Sequence, residues 1–196
     1  MSKKMILLII VALFAVQAAP AVAEDTRVPL MDIAGHWAED AIFGAVEKGY
    51  VSGYLDETFR PNQNVTRAEF IKMLVDALKL PKSTGGSPWY QGYVAAAVEF
   101  DIHNEANFSD YIAELTRLEM VRLAVRAVAK EDYASDEEMM YAATQLGILH
   151  GMEHGMLMPE GNSTRAQAVA IIERILAVKA GEMLPVDERA ITYAEV

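Results

Sequence analysis

The sequence predicts an all-α protein of three helix–loop–helix units, and two observations carry that prediction. The first is a repeat. Thr-Arg-x followed by Glu or Gln stands at Thr66-Arg67-Ala68-Glu69, Thr116-Arg117-Leu118-Glu119 and Thr164-Arg165-Ala166-Gln167, with the arginines 50 and 48 residues apart. Self-similarity at such a period sets the architecture before any single residue sets a function. The second is that each copy is followed by apolar residues at helical spacing. Thr-x-x-Glu/Gln is a capping box: the threonine hydroxyl accepts from the N3 amide and the Glu or Gln side chain returns to the threonine N–H. Thr66, Thr116 and Thr164 are therefore each expected to open a helix.

Before the repeats, the chain begins with the features of an export signal. Lys3 and Lys4 form a basic start, Met5 to Ala19 is an apolar run, Pro20 breaks it, and Ala21-Val22-Ala23 is an A-x-A cleavage site. The run is short for a bilayer span of about 20 residues. Cleavage is expected, leaving no transmembrane anchor. The resulting division is a signal peptide (1–23), three units (24–80, 81–130 and 131–180) and a C-terminal tail (181–196). The tail is expected to be a short arm or disordered.

In unit one a helix is expected from His36 to about Lys48, with Trp37, Ala38, Ala41, Ile42, Ala45 and Val46 on one face. Gly49 suits its C-cap, and Gly53 and Pro61 punctuate a compact loop before the capped helix. Phe70, Ile71, Leu74 and Leu78 stripe that second helix. Unit two places Trp89, Tyr93, Ala96, Ala97 and Phe100 on its first helix, then Met120, Val121, Ala124 and Val128 on its second. Its intervening loop, Phe100 to Glu114, has neither glycine nor proline, so a different shape is expected. Unit three has Met139, Met140, Ala143 and Leu146, a loop punctuated by Gly147, Gly151, Gly155 and Pro159, and the stripe Ala168, Val169, Ile172 and Leu176. One such helix pair cannot bury its apolar faces alone, but three packed together can.

Composition narrows the function. The chain has no cysteine, which removes disulfides, thiol catalysis and a cysteine metal site. The net charge of −11 argues against a nucleic-acid partner and against broad adhesion to anionic polymers. An anionic ligand would have to be met by a few placed arginines.

The ordered residues of unit one resemble the S-layer homology family. They are Asp32-Ile33, His36-Trp37-Ala38, Ala41-Ile42, Gly53-Tyr54, Thr58-Phe59-Arg60-Pro61-Asn62 and Val65-Thr66-Arg67-Ala68-Glu69. Unit three keeps Gly147-Ile148, Gly151, Gly155, Pro159 and its Thr-Arg-Ala-Gln. Unit two keeps Trp89 and Leu115-Thr116-Arg117-Leu118-Glu119. The resemblance implies pseudo-threefold symmetry around a central helical core. It also implies non-covalent binding of cell-wall polysaccharide, often one bearing a pyruvylated amino sugar, which holds exported proteins at the bacterial cell wall or in its surface layer.

On that resemblance, Arg67, Arg117 and Arg165 are the candidate glycan contacts, with Trp37 and Trp89 at the matching tryptophan position. A guanidinium can grip a carboxylate with two prongs, a helix N-terminus adds a field that favours an anion, and an aromatic face suits the apolar side of a sugar. Core packing is the alternative for both tryptophans. Tyr54 and Asp56 could serve sugar hydroxyls, or act as loop anchor and turn residue. The groove containing Arg67 is the first choice. Unit two lacks the Gly-Tyr loop, and unit three lacks the tryptophan and has Gln167 for glutamate.

The expected partner is cell-wall polysaccharide or a peptidoglycan-linked glycan. Another envelope protein is the partner under the alternative that the chain is a small adaptor or surface-coat component. His150-Gly151-Met152-Glu153-His154 matches the H-x-x-E-H zinc peptidase motif. The surrounding glycines put it in a loop, where the two histidines would not share a helical face. No enzymatic activity, metal site or cofactor is therefore expected. Met139-Met140 and the methionines from Met152 to Met158 are expected to fill the core.

Overall fold

The computed structural model describes residues 30–129 and 133–190. The expected signal peptide and residues 191–196 of the tail lie outside them. The described chain is helical: α1 (Glu39–Glu47), α2 (Arg67–Ala77), α3 (Gln91–Glu99), α4 (Arg117–Val128), α5 (Asp136–Gln145) and α6 (Arg165–Lys179). Short 3-10 turns at Glu105–Asn107 and Glu153–Gly155 lie in the loops of units two and three.

All three expected capping boxes are present and open α2, α4 and α6. The N3 amide reaches the threonine hydroxyl at 3.2 Å from Glu69, 3.2 Å from Glu119 and 3.3 Å from Gln167. The return bonds to the threonine N–H are 2.8, 3.0 and 3.0 Å. These three helices form the centre. Phe70, Ile71, Leu74, Met120, Val121, Ala124, Ala168, Val169 and Ile172 are all buried there.

The residues just before the capping threonines close the core at one end. The Val65 N–H donates to the Ser163 carbonyl (2.9 Å), Ser163 to Leu115 (2.8 Å), and Leu115 back to Val65 (2.9 Å). This three-membered ring of backbone bonds is what gives the units their pseudo-threefold relation. The next two amides of each central helix continue the rotation. Arg67 and Ala68 donate to Ala113 and Tyr111 of unit two, Arg117 and Leu118 to Gly161 and Pro159 of unit three, and Arg165 and Ala166 to Gln63 and Pro61 of unit one. The first amides of every central helix are thus taken by protein acceptors. These amides are therefore engaged within the protein, so any favour the N-termini show an anion acts through the helix field rather than through free donors.

The outer helices pair the same units, each central helix being covered by the outer helix of the unit whose loop accepts its first amides. α1 packs on α6, α3 on α2 and α5 on α4, so each outer helix covers the central helix of another unit. No outer helix covers its own unit's central helix, in keeping with a helix pair that cannot bury its apolar faces alone.

Several elements depart from expectation. α1 starts at Glu39 rather than His36, and Trp37 lies in the turn before it. Trp89 also precedes its helix, and Phe100 follows it, both exposed; Val94 takes their place in the core of unit two. Met139 and Met140 are buried as expected, but Met152, Met156 and Met158 are exposed. The unit-two loop keeps the left-handed exit of the others without glycine: Asp101 has φ 59°, where Gly49 and Gly147 have 77° and 68°. Beyond that exit the loop is packed by aromatic rings, with His103 4.7 Å from Phe108 within it and Tyr111 stacked at 5.4 Å on Tyr90 at the start of α3.

The described part of the tail is an arm folded back on unit three. The Gly151 N–H donates to Asp187 at 3.2 Å, the His150 ring meets the Pro185 carbonyl at 3.3 Å, and Ala190 is buried. A Cβ on Gly147 would stand 2.7 Å from that of Leu184. The glycine therefore serves both the left-handed turn and the docking of the arm.

Candidate functional site

Each repeat arginine leaves its helix start and crosses into the next unit. Arg165 donates from Nε to the Phe59 carbonyl (3.0 Å) and from Nη2 to that of Ser52 (3.3 Å). Its guanidinium lies 4.6 Å from the Phe59 ring and 5.0 Å from the Tyr54 ring. Arg117 donates from Nε to Leu157 O (2.8 Å) and from Nη2 to His150 O (3.0 Å). Arg67 forks onto Glu119 at 3.1 and 2.6 Å, donates to Asp110 O at 2.8 Å, and lies 5.0 Å from the Phe108 ring. Arg117 and Arg165 are only 5% and 7% exposed. Three in-register arginines thus tie loops to helices around the ring, in addition to any role toward a ligand.

Two grooves form where these crossings occur. The first, of about 310 Å³, is bounded by Arg165 from unit three, Tyr50 to Tyr54 with Glu69, Lys72 and Met73 from unit one, and Trp89 from unit two. The second, of about 260 Å³, is bounded by Arg117 and Met120 from unit two, Ile148 to Met152 with Gln167, Ala170, Ile171 and Arg174 from unit three, and Trp37 from unit one. Each groove therefore takes residues from all three units. Their volumes are at the low end for ligand pockets, about 300 Å³, which suits a sugar residue rather than a large ligand.

The tryptophans are not core residues. Trp37 is 64% and Trp89 51% exposed, each on the rim of a groove whose arginine comes from a different unit. The structure brings together Arg165, Tyr54 and Trp89 in one groove, and Arg117 and Trp37 in the other. Arg67 is not joined to Trp37, Tyr54 or Asp56; its fork is held by Glu119, whose other partner is the Thr116 N–H. Asp56 lies outside the lining of both grooves. It accepts from the Thr58 hydroxyl and from Arg60 at 3.0 Å, and those two bonds hold its carboxyl at about 2. Arg60 also lies 3.8 Å over the Tyr54 ring.

Several lining residues were not singled out in the sequence: Lys72 and Tyr50 in the first groove and Arg174 in the second. His150, noted only as part of the H-x-x-E-H segment, also lines the second. Arg174 donates from Nη1 to Ile148 O at 3.1 Å, and its Nη2 meets His150 Nδ1 at 3.3 Å. Burial, then the neighbouring Arg174, pushes the Arg117 pKa down; burial does the same to Arg174. A guanidinium nevertheless keeps its charge, so the shifts reflect the cost of confining two cations. Aligning the central helices would have revealed Arg174, since it lies nine residues after Arg165, where units one and two have Asp76 and Arg126.

The H-x-x-E-H segment is not a metal-binding helix. Residues Glu153–Gly155 form a 3-10 turn with His154 at φ 58°, and His150 is held by Arg174 and Pro185. Among the described residues, no group of three or more His, Cys, Asp or Glu side chains could hold a metal ion. No described helix is long and apolar enough to cross a membrane.

A helical ring of three units, wired by one arginine each and grooved at two of the crossings, defines a repeat-built helical module. Residues 31–71 match the model of the S-layer homology domain, and the chain belongs to that family. Such a domain is an anchoring module. The chain is 30% identical over 149 residues to cell surface glycoprotein 1 of Acetivibrio thermocellus, which covers 76% of this chain and 5% of that protein. It is 46% identical over 55 residues to a cellulosome-anchoring protein of the same organism, covering 28% of this chain and 12% of that protein. It is 28% identical over 172 residues to an amylopullulanase of Thermoanaerobacterium thermosulfurigenes, covering 74% of this chain and 9% of that protein. The chain thus spans a small part of the length of these relatives. Surface, outer-membrane and S-layer proteins among its relatives put it at the bacterial cell surface.

Proposed function

We propose that this chain anchors an exported protein by binding cell-wall polysaccharide non-covalently in its inter-unit grooves, without catalysis. The observation that carries this reading is the pairing, in both grooves, of a buried arginine from one unit with an exposed tryptophan from another. The tryptophan offers a flat apolar face to a sugar ring, and the arginine offers fixed donors to a carboxylate such as that of a pyruvyl ketal. The net charge of −11 leaves little general attraction for anionic polymers, so recognition rests on these placed cations. The names of the surface and anchoring relatives support the same reading.

Sedimentation with purified cell walls tests it. The protein is expected to pellet with intact walls and to stay in solution with walls stripped of their secondary polysaccharide. Equal binding to both would contradict the glycan assignment.

A further inference from the structure

The two grooves carry different charge. In the first, Arg165 and Lys72 share the lining with the Glu69 carboxylate, and Lys72 is bonded to Asp76 at 2.9 Å. In the second, the position of Glu69 is held by the neutral Gln167, and that of Asp76 by Arg174. Both replacements act in the same direction. No carboxylate lies among the lining residues, while two guanidiniums converge on His150, Arg117 on its carbonyl at 3.0 Å and Arg174 on its ring at 3.3 Å. The His150 ring adds no positive charge at neutral pH, since burial and Arg174 hold its pKa down. Neither arginine is bonded to an acid across the groove, in contrast to Arg67 on Glu119.

We infer that the groove between Arg117 and Arg174 is a site for a ligand group bearing two negative charges, a phosphate monoester or a close pair of carboxylates. The Arg165 groove takes a singly charged carboxylate. The inference rests on the glycan reading for the identity of the polymer and adds the charge of the group each groove accepts. Two partly desolvated cations that bond no acid among the described residues, with Asp187 held on the Gly151 N–H, favour a dianion over a monoanion, because each charge finds its own guanidinium. Next to Glu69, a second negative charge would be repelled.

Tryptophan emission reads the grooves separately, because the chain has two tryptophans and one lies on each rim. Trp89→Phe leaves Trp37 as reporter of the second groove, and Trp37→Phe leaves Trp89 as reporter of the first. Each variant is titrated with methyl phosphate, malonate and acetate at a pH where the phosphate is doubly charged, with calorimetry alongside to catch binding that does not alter emission. Methyl phosphate and malonate are expected to bind the second groove about tenfold more tightly than acetate, and the first groove without that preference. Which dianion binds more tightly distinguishes phosphate from paired carboxylates.

Gln167→Glu is the most informative substitution, since glutamate already caps α2 and α4 at this position and the helix start is preserved. It is expected to weaken dianion binding about tenfold, as is Arg174→Gln. Absence of saturable binding, equal affinity for acetate, or dianion affinity unchanged in both substitutions would overturn the inference. Wall sedimentation in parallel separates the two proposals. Dianion preference without wall binding removes the glycan reading alone, and wall binding without dianion preference removes this one alone.

Discussion

Arg165 shows how one side chain serves two purposes. Its guanidinium holds the Phe59 and Ser52 carbonyls of unit one and also lines a groove. Removing it would leave the buried Phe59 carbonyl without this donor, at about 1–3 kcal/mol, so an alanine there would affect stability as well as binding. The same holds for Arg67, whose bidentate pair with Glu119 joins units one and two. The residue whose effect on folding can be isolated is His103, 4% exposed, with Nε2 2.9 Å from the Tyr111 hydroxyl. Burial, and secondarily Arg126, lowers its pKa to about 4. The unfolded chain takes up this proton near pH 6.5 while the folded chain does not. Stability is therefore complete above that pH and falls as the pH drops from about 6.5 to about 4, by up to about 3 kcal/mol. His150, also lowered, adds in the same direction. Urea midpoints at pH 7 and pH 5 should show a decrease that is clearly smaller in His103→Gln. An equal decrease in that variant would place the pH sensitivity elsewhere.

At the scale of elements, neighbouring positions at the start of α6 are expected to respond in opposite directions. Thr164 caps the helix through its hydroxyl, and Thr164→Ala should cost about 1 kcal/mol. Ser163 stands where Val65 and Leu115 stand in the other units, is fully buried, and its hydroxyl has no partner. Ser163→Ala keeps the backbone ring and should raise stability by about 1 kcal/mol. Equilibrium denaturation of the two variants checks both signs. The helices themselves were legible in the sequence because capping is local: a threonine and a Glu or Gln three residues on contain the whole interaction. The loop exits were legible at Gly49 and Gly147, where backbone geometry selects the residue, but not at Asp101, which adopts the same left-handed turn without glycine. Helical periodicity misplaced the tryptophans for an identifiable reason. Trp37 and Trp89 precede their helices, where a 3.6-residue period no longer says which way a side chain faces.

For the whole molecule, the candidate site is a product of the ring. Each groove draws its arginine, loop and tryptophan from three different units, and each outer helix covers another unit's central helix. The sequence could nominate Arg117, Arg165, Trp37 and Trp89 by repeat position. It could not pair them, because the pairing follows from the direction in which the backbone ring closes, a tertiary choice without a local signature. The preference for Arg67 met the same limit: unit one is the most complete copy, but its arginine crosses to unit two and forks onto Glu119 there. The unit-three departures also changed meaning. Gln167 for glutamate appeared as a loss in the repeat pattern, yet beside Arg117 it removes a competing negative charge.

The central claim is that the grooves hold wall polysaccharide, and their exposed tryptophans give the most direct test because neither supports the core. The double variant Trp37→Ala, Trp89→Ala should unfold at the same denaturant concentration as the parent chain and lose binding to purified walls by about tenfold or more. A correctly folded double variant that sediments with walls as well as the parent would contradict the account.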